Sequence, residues 1–155
     1  MVLKIEPIYK AIEKIKAEKA KVIFLSPRGK KFTQKMAQSW SKNSKQLVII
    51  SGRYEGIDER VKKLADETVS IGDFITLGGE IPAMAVIEAT ARLISGVVGK
   101  RESIEKSDFP QYTRPEIFKS KIKNQKSKIW KVPKILISGD HKKIEEWRKE
   151  KSKKI

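Results

Sequence analysis

The chain has 155 residues with 35 Lys or Arg against 19 Asp or Glu, a formal charge of +16, one His and no Cys. That length buries one sizeable core, while the absence of cysteine excludes a disulfide framework or thiolate metal site and the lone histidine excludes a histidine-rich zinc centre. So basic a balance points to a polyanionic partner, nucleic acid first, or else to a lysine-rich solvated surface.

The opening MVLKIEPIYK lacks the apolar core and cleavage site of a signal peptide, and no later apolar run approaches the roughly 18 residues of a membrane helix. A cytoplasmic chain that makes no membrane contact is expected. Ile5, Ile8, Ile12 and Ile15 recur at helical spacing, with Pro7 tolerated in a first turn. KVIFL (21–25) reads as a strand. Thr33 is placed to cap a short helix that buries Met36 and Trp40. QLVII (46–50) is a second strand, and after a turn at Gly56 the residues Ile57, Val61 and Leu64 share a helical face. ETVSI (67–71) is a third strand, and Pro82 opens a helix to about Ile94.

From Lys100 to Pro133 the periodicity fades, which predicts a long, partly mobile connection. KILIS (134–138) then reads as a last strand, and Asp140 caps a helix through Ile144 and Trp147. Strands alternating with helices give an α/β fold. Residues 119–155 hold 14 Lys or Arg against four Asp or Glu, a net +10 of the chain's +16. This is an arm suited to phosphates, or a solubilising tail.

Three segments put glycine and polar residues at the ends of apolar strands: LSPRG (25–29), SGRYEG (51–56) and SIGDFITLGGE (70–80). In open α/β sheets ligands sit outside the carboxyl ends of strands, so the three loops predict one shared pocket. Neither GxxxxGK[ST] nor a helix-opening GxGxxG occurs, which disfavours a triphosphate or dinucleotide. A compact ligand read by backbone groups, such as an adenosine derivative, suits the pattern better. Taken singly, each of these glycines is equally explained by turn geometry.

SGRYEGIDERV, SIGDF followed by GGEIPAM, and QYTRPEIF, supported by LSPRG and ISGDHKKIEEWR in the same order, closely resemble bacterial tRNA (guanine-N1-)-methyltransferases of the TrmD type, in the SPOUT class. The resemblance covers nearly the whole chain. It implies an α/β SPOUT-type sheet with helices on both faces and a deep C-terminal trefoil knot, which periodicity does not reveal and which general folding statistics disfavour. It implies a homodimer with active sites at the interface, tRNA as substrate, and methylation of guanine N1 at the position 3′ to the anticodon. By this likeness residues 1–118 are the knotted cofactor-binding core, and residues 119–155 are a basic linker, last strand and C-terminal helix. The family's first strand and its C-terminal RNA-binding domain have no counterpart here.

The cofactor implied by the resemblance is S-adenosylmethionine, with Mg2+ allowed beside it. Position by position, its binding residues are Leu25, Ser26 and Pro27, then Gly52, then Ile71, Gly72, Asp73, Phe74, Ile75, Thr76, Gly78 and Gly79. Arg53, Tyr54 and Glu55 fall between methyl donor and RNA, where a carboxylate accepts from a guanine N–H edge. Alternatively, Arg53 and Glu55 pair with Asp58 or Arg60. Arg92 is matched to the residue that stabilises charge on the guanine oxygen, and Asp108 to the general base supplied by the other subunit. An ordinary Asp, with a pKa of about 3.9, is a weak base for guanine N1 and depends on Arg92 or a metal. The stretch EKSDFPQYTRP is shorter than the family's linker, so Asp108 also aligns with a non-catalytic acidic residue before the Pro. The alternatives are a catalytically weakened module that keeps the knot, or a SPOUT enzyme for another RNA.

Overall fold

The computed structural model describes residues 1–53, 55–98, 109–120 and 128–152. Their contacts divide into two compact units, Met1–Ile104 and Glu105–Ile155.

In the first unit β1 (Ala20–Lys31) lies between β2 (Gln46–Ile50) and β3 (Glu67–Ser70), all parallel. A parallel sheet is buried on both faces, and alternation along β1 sorts its side chains between two cores. Val22 and Phe24 join Val48, Ile50, Val61 and Ile12 on one side. Ile23 and Leu25 join Trp40, Val69 and Val86 on the other.

Helices cover both faces, as the α/β reading expects. On the first face lies α1 (Ile5–Ile15), which buries Ile12 and packs Ile5 and Ile8 against the same core. Beside it a 3-10 helix, Glu59–Leu64, buries Val61 where an α-helix was expected. Asp58 caps it by accepting from the Arg60 N–H at 2.9 Å. The second face carries α2 (Gln34–Asn43) and α3 (Glu80–Ala91). Thr33 caps α2 as the sequence predicts, its hydroxyl accepting from Met36 N at 3.3 Å, and Phe32 stacks against Trp40 with centroids 5.4 Å apart.

β1 runs further than KVIFL suggests. Leu25 and Lys30 both register on Val69, so residues 26–29 leave the ladder and return to the same partner strand. A Cβ on Gly29 would lie 2.5 Å from the Val69 backbone, so only glycine permits that return.

The second unit corrects two expectations. KILIS is not a strand: Lys134–Ile137 form a 3-10 turn after Pro133, and the Ser138 hydroxyl donates to Ile135 O at 2.8 Å. Nor is the stretch before it structureless throughout, because β4 (Ile117–Ser120) and β5 (Lys128–Lys131) pair as an antiparallel hairpin. The final helix, α4 (His141–Lys151), is capped by Asp140, which accepts from Lys143 N at 3.2 Å. Its Trp147 packs on Tyr112 at 6.3 Å, and Arg148 lies over the Phe109 ring at 5.3 Å.

Candidate cofactor cleft

At the carboxyl end of the parallel sheet the three strand-end loops enclose a cleft of about 500 Å³. Leu25, Ser26 and Pro27 line it from β1, Gly52, Arg53 and Glu55 from β2, and Ile71, Phe74, Ile75, Thr76, Gly78 and Gly79 from β3. Three segments singled out separately in the sequence thus meet in one place. Asp108 and Tyr54 lie outside the described residues.

The second and third loops are tied by backbone. Gly79 N donates to Gly52 O at 2.7 Å, and Arg53 bridges antiparallel to Gly78. A Cβ on Gly79 would sit 2.6 Å from Ser51 Cβ and 2.9 Å from Gly52 N, so glycine is required there for proximity. Gly79 has φ −80°, which any residue adopts.

Two of the matched positions do not line the cleft. The Ser70 hydroxyl engages Gly72 on both sides, donating to its O at 2.8 Å and accepting from its N at 3.2 Å. Asp73 turns outward to pair with Lys31 at 2.5 Å. Gly72 and Asp73 therefore organise the turn behind the loop. Thr76 does similar work at the rim, its hydroxyl donating to Gly78 O at 2.7 Å.

Of the charged groups, Arg53 Nε donates to the Glu80 carboxylate. That hydrogen bond is the main reason the Glu80 carboxyl lies below the usual carboxylate range. Asp58 binds Arg60 in a fork, accepting at 2.9 Å and 2.6 Å, and Arg53 pairs with Glu80 rather than with Asp58. Glu55 is exposed and lies 2.5 Å from the Met1 ammonium.

Arg92 caps the far end of α3 and is not among the residues lining the cleft. With 1.5 Å of rise per residue, it stands about 20 Å along the helix from Gly79.

The sequence reading missed Arg28, Ile57, Glu59 and Pro82 as lining residues. Arg28 was within reach, being inside LSPRG. Ile57 was assigned to a helix face, yet its side chain fills the space beside Gly52, 2.7 Å from where a Cβ would stand.

Among the described residues no group of His, Cys, Asp and Glu could hold a metal ion, and no helix is long and apolar enough to cross a membrane. A parallel α/β layer with a cleft at its strand ends is the arrangement in which α/β domains bind small ligands.

Comparison with known sequences narrows that class. The chain belongs to the tRNA (guanine-1)-methyltransferase TrmD family, whose sequence model matches residues 1–155. It is 48% identical over 155 residues to a tRNA (guanine-N(1)-)-methyltransferase of Lactobacillus johnsonii, covering 96% of this chain and 60% of that protein. Proteins of the same name from Dictyoglomus turgidum and Endomicrobium trichonymphae are 44% and 42% identical over 161 and 172 residues. Those matches cover 99% of this chain in each case, and 62% and 70% of the relatives. The chain thus spans about three-fifths of the length of the first two relatives.

Proposed function

We propose that this chain carries the S-adenosylmethionine-binding and methyl-transferring part of a tRNA (guanine-N1)-methyltransferase acting on the guanine 3′ to the anticodon. The observation that carries the reading is the convergence of LSPRG, SGRYEG and SIGDFITLGGE on one cleft, in a chain of this family.

The residues present suit the cofactor. A volume near 500 Å³ falls in the range of small-molecule sites. Leu25, Ile57, Ile71 and Pro82 offer apolar surface to a purine, while Glu55 and Glu59 offer negative charge to a cationic donor. When bound, S-adenosylmethionine supplies a methyl group activated by a positively charged sulfur. The chain's own residues supply position and proton transfer. Arg53, Tyr54 and Glu55 hold the base, Glu55 accepting from its N–H edge. Arg92 places positive charge beside the guanine oxygen as N1 becomes nucleophilic. N1 gains the methyl group and gives its proton to Asp108 of the partner subunit.

A homodimer supports this division of labour. Ile81, Met84 and Ile87 on α3 are 63%, 63% and 51% exposed, an apolar face suited to a second copy. Because Arg92 lies so far along α3 from the cleft, its role belongs to the assembled site. In this reading the core is residues 1–118, a SPOUT sheet with a trefoil knot, and residues 119–155 are its basic arm. The protein works in the cytoplasm.

Titration calorimetry with S-adenosylmethionine, followed by methyl transfer to a tRNA bearing guanine 3′ to the anticodon, tests the reading. Both are expected. Cofactor binding with no transfer at any enzyme concentration replaces the enzyme by a cofactor- and RNA-binding module, and no binding at all removes the cleft assignment.

A further inference from the structure

The hairpin of β4 and β5 exposes what folding ordinarily hides. Its register sets Phe118 directly opposite Trp130, with ring centroids 5.7 Å apart and planes only 11° from parallel. Each residue is nevertheless 51% exposed. Alternation sends Ile117, Lys119, Ile129 and Lys131 to the other face, where Ile117 and Ile129 are also more than half exposed. A two-stranded hairpin open to water on both faces is marginal by itself, so an exposed aromatic pair on one calls for a ligand.

The surrounding charge selects the ligand. From Lys119 to Lys134 the sequence carries seven lysines and neither Asp nor Glu. Protein interfaces deplete lysine at their centres. Flat aromatic surface bordered by lysine is the combination that binds unpaired nucleic acid, because every base has a face to stack and every nucleotide a phosphate to neutralise. A duplex keeps its bases stacked on one another, out of reach of these rings.

We propose that the β4–β5 hairpin is a binding surface for single-stranded RNA, with Phe118 and Trp130 stacking on an unpaired base and Lys128, which shares their face, on an adjoining phosphate. The proposal rests on the reading of the chain as RNA-directed, but it uses no residue of the cofactor cleft. In a tRNA the natural target is a loop nucleotide.

The test is fluorescence anisotropy of the full chain with a short labelled single-stranded RNA and with the same sequence as duplex. Trp130→Val keeps a β-branched partner across from Phe118, so the strand pair persists while the flat surface is lost. It is expected to weaken single-strand binding about tenfold or more, and Trp130→Phe to restore it to within about threefold of wild type. Lys128→Gln lowers the slope of log K against log salt by about 0.7, while Lys131→Gln, on the opposite face, changes it less. Wild-type affinity in Trp130→Val, equal losses in Val and Phe variants, or preference for duplex each overturns the proposal. S-adenosylmethionine affinity, measured in parallel, separates the two readings. A wild-type chain that binds cofactor but no RNA overturns the hairpin assignment alone, and one that binds neither overturns both.

Discussion

Replacing Gly79 by Ala perturbs the join between the second and third loops with a single methyl group. Because φ at Gly79 is −80°, the backbone accepts alanine and the whole effect is steric. The new Cβ would stand 2.6 Å from Ser51 Cβ, whereas ordinary contact begins near 3.4 Å, so the loops must part by about 0.8 Å. The Gly79 N to Gly52 O hydrogen bond, now 2.7 Å, then stretches to about 3.5 Å, beyond useful length. Loss of that bond costs about 1 kcal/mol and the overpacking about 1–3 kcal/mol, together about 2–4 kcal/mol. In a chain of this size that lowers Tm by roughly 5–15 °C, read by circular dichroism. Cofactor affinity, read by calorimetry, falls tenfold or more because both displaced loops line the cleft. Ser51→Gly on the same chain removes the nearest of the three clashing atoms and recovers part of each loss, leaving the approaches of 2.9 Å to Gly52 N and 3.0 Å to Ser51 Cα. Wild-type Tm and affinity in Gly79→Ala would refute the claim that proximity fixes this glycine.

Ile23 is fully buried beneath α2 and α3, so Ile23→Ala is expected to cost about 2–5 kcal/mol in urea unfolding. The Arg60 side chain and backbone hold Asp58 down from 3.8 to about 2, so its stabilising contact is fully present above pH 4 and fades as pH falls toward 2. Asp58→Asn should therefore lose less Tm than wild type across that interval, and superimposable curves would show the contact to be inert. On the exposed face of α3, Met84→Glu is expected to shift the protein toward monomer in sedimentation velocity, with no loss of monomer fold, since Met84 is 63% exposed within one chain.

Sequence reading succeeded where side-chain chemistry is local. Thr33 and Asp140 cap the helices they were expected to cap, because a hydroxyl or carboxylate satisfying its own helix's N–H groups needs no distant partner. QLVII became β2 without change, since a short β-branched run between turns has few alternatives. KILIS failed for a matching reason. An apolar run that short fits a strand or a helical turn equally, and only a neighbouring strand decides between them. The hairpin was invisible because its strands show four residues each, too few for alternation to stand out among the lysines. The glycine loops announced the cleft, but which residues face into it depended on tertiary bonds. Ser70 holding Gly72, and Lys31 holding Asp73, link residues that no motif connects.

The proposed homodimer rests chiefly on helix α3. Apart from the exposed Glu80 and Glu88, EIPAMAVIEATA is apolar or small, without the wide polar stripe a surface helix presents. Among the described residues only part of it is covered: Val86 and Thr90 are buried and Ala83 is packed against the core, while Ile81, Met84 and Ile87 are exposed. The same helix begins at the cleft with Gly79 and Pro82 and ends at Arg92, far from it. A second copy seated on that face would resolve both facts together, by burying the apolar side and by bringing residues from one subunit to a cleft of the other. A lone surface helix would carry lysine or glutamate where α3 carries Ile81, Met84 and Ile87. The exposed apolar residues of α3 are thus the observation on which the proposed homodimer rests.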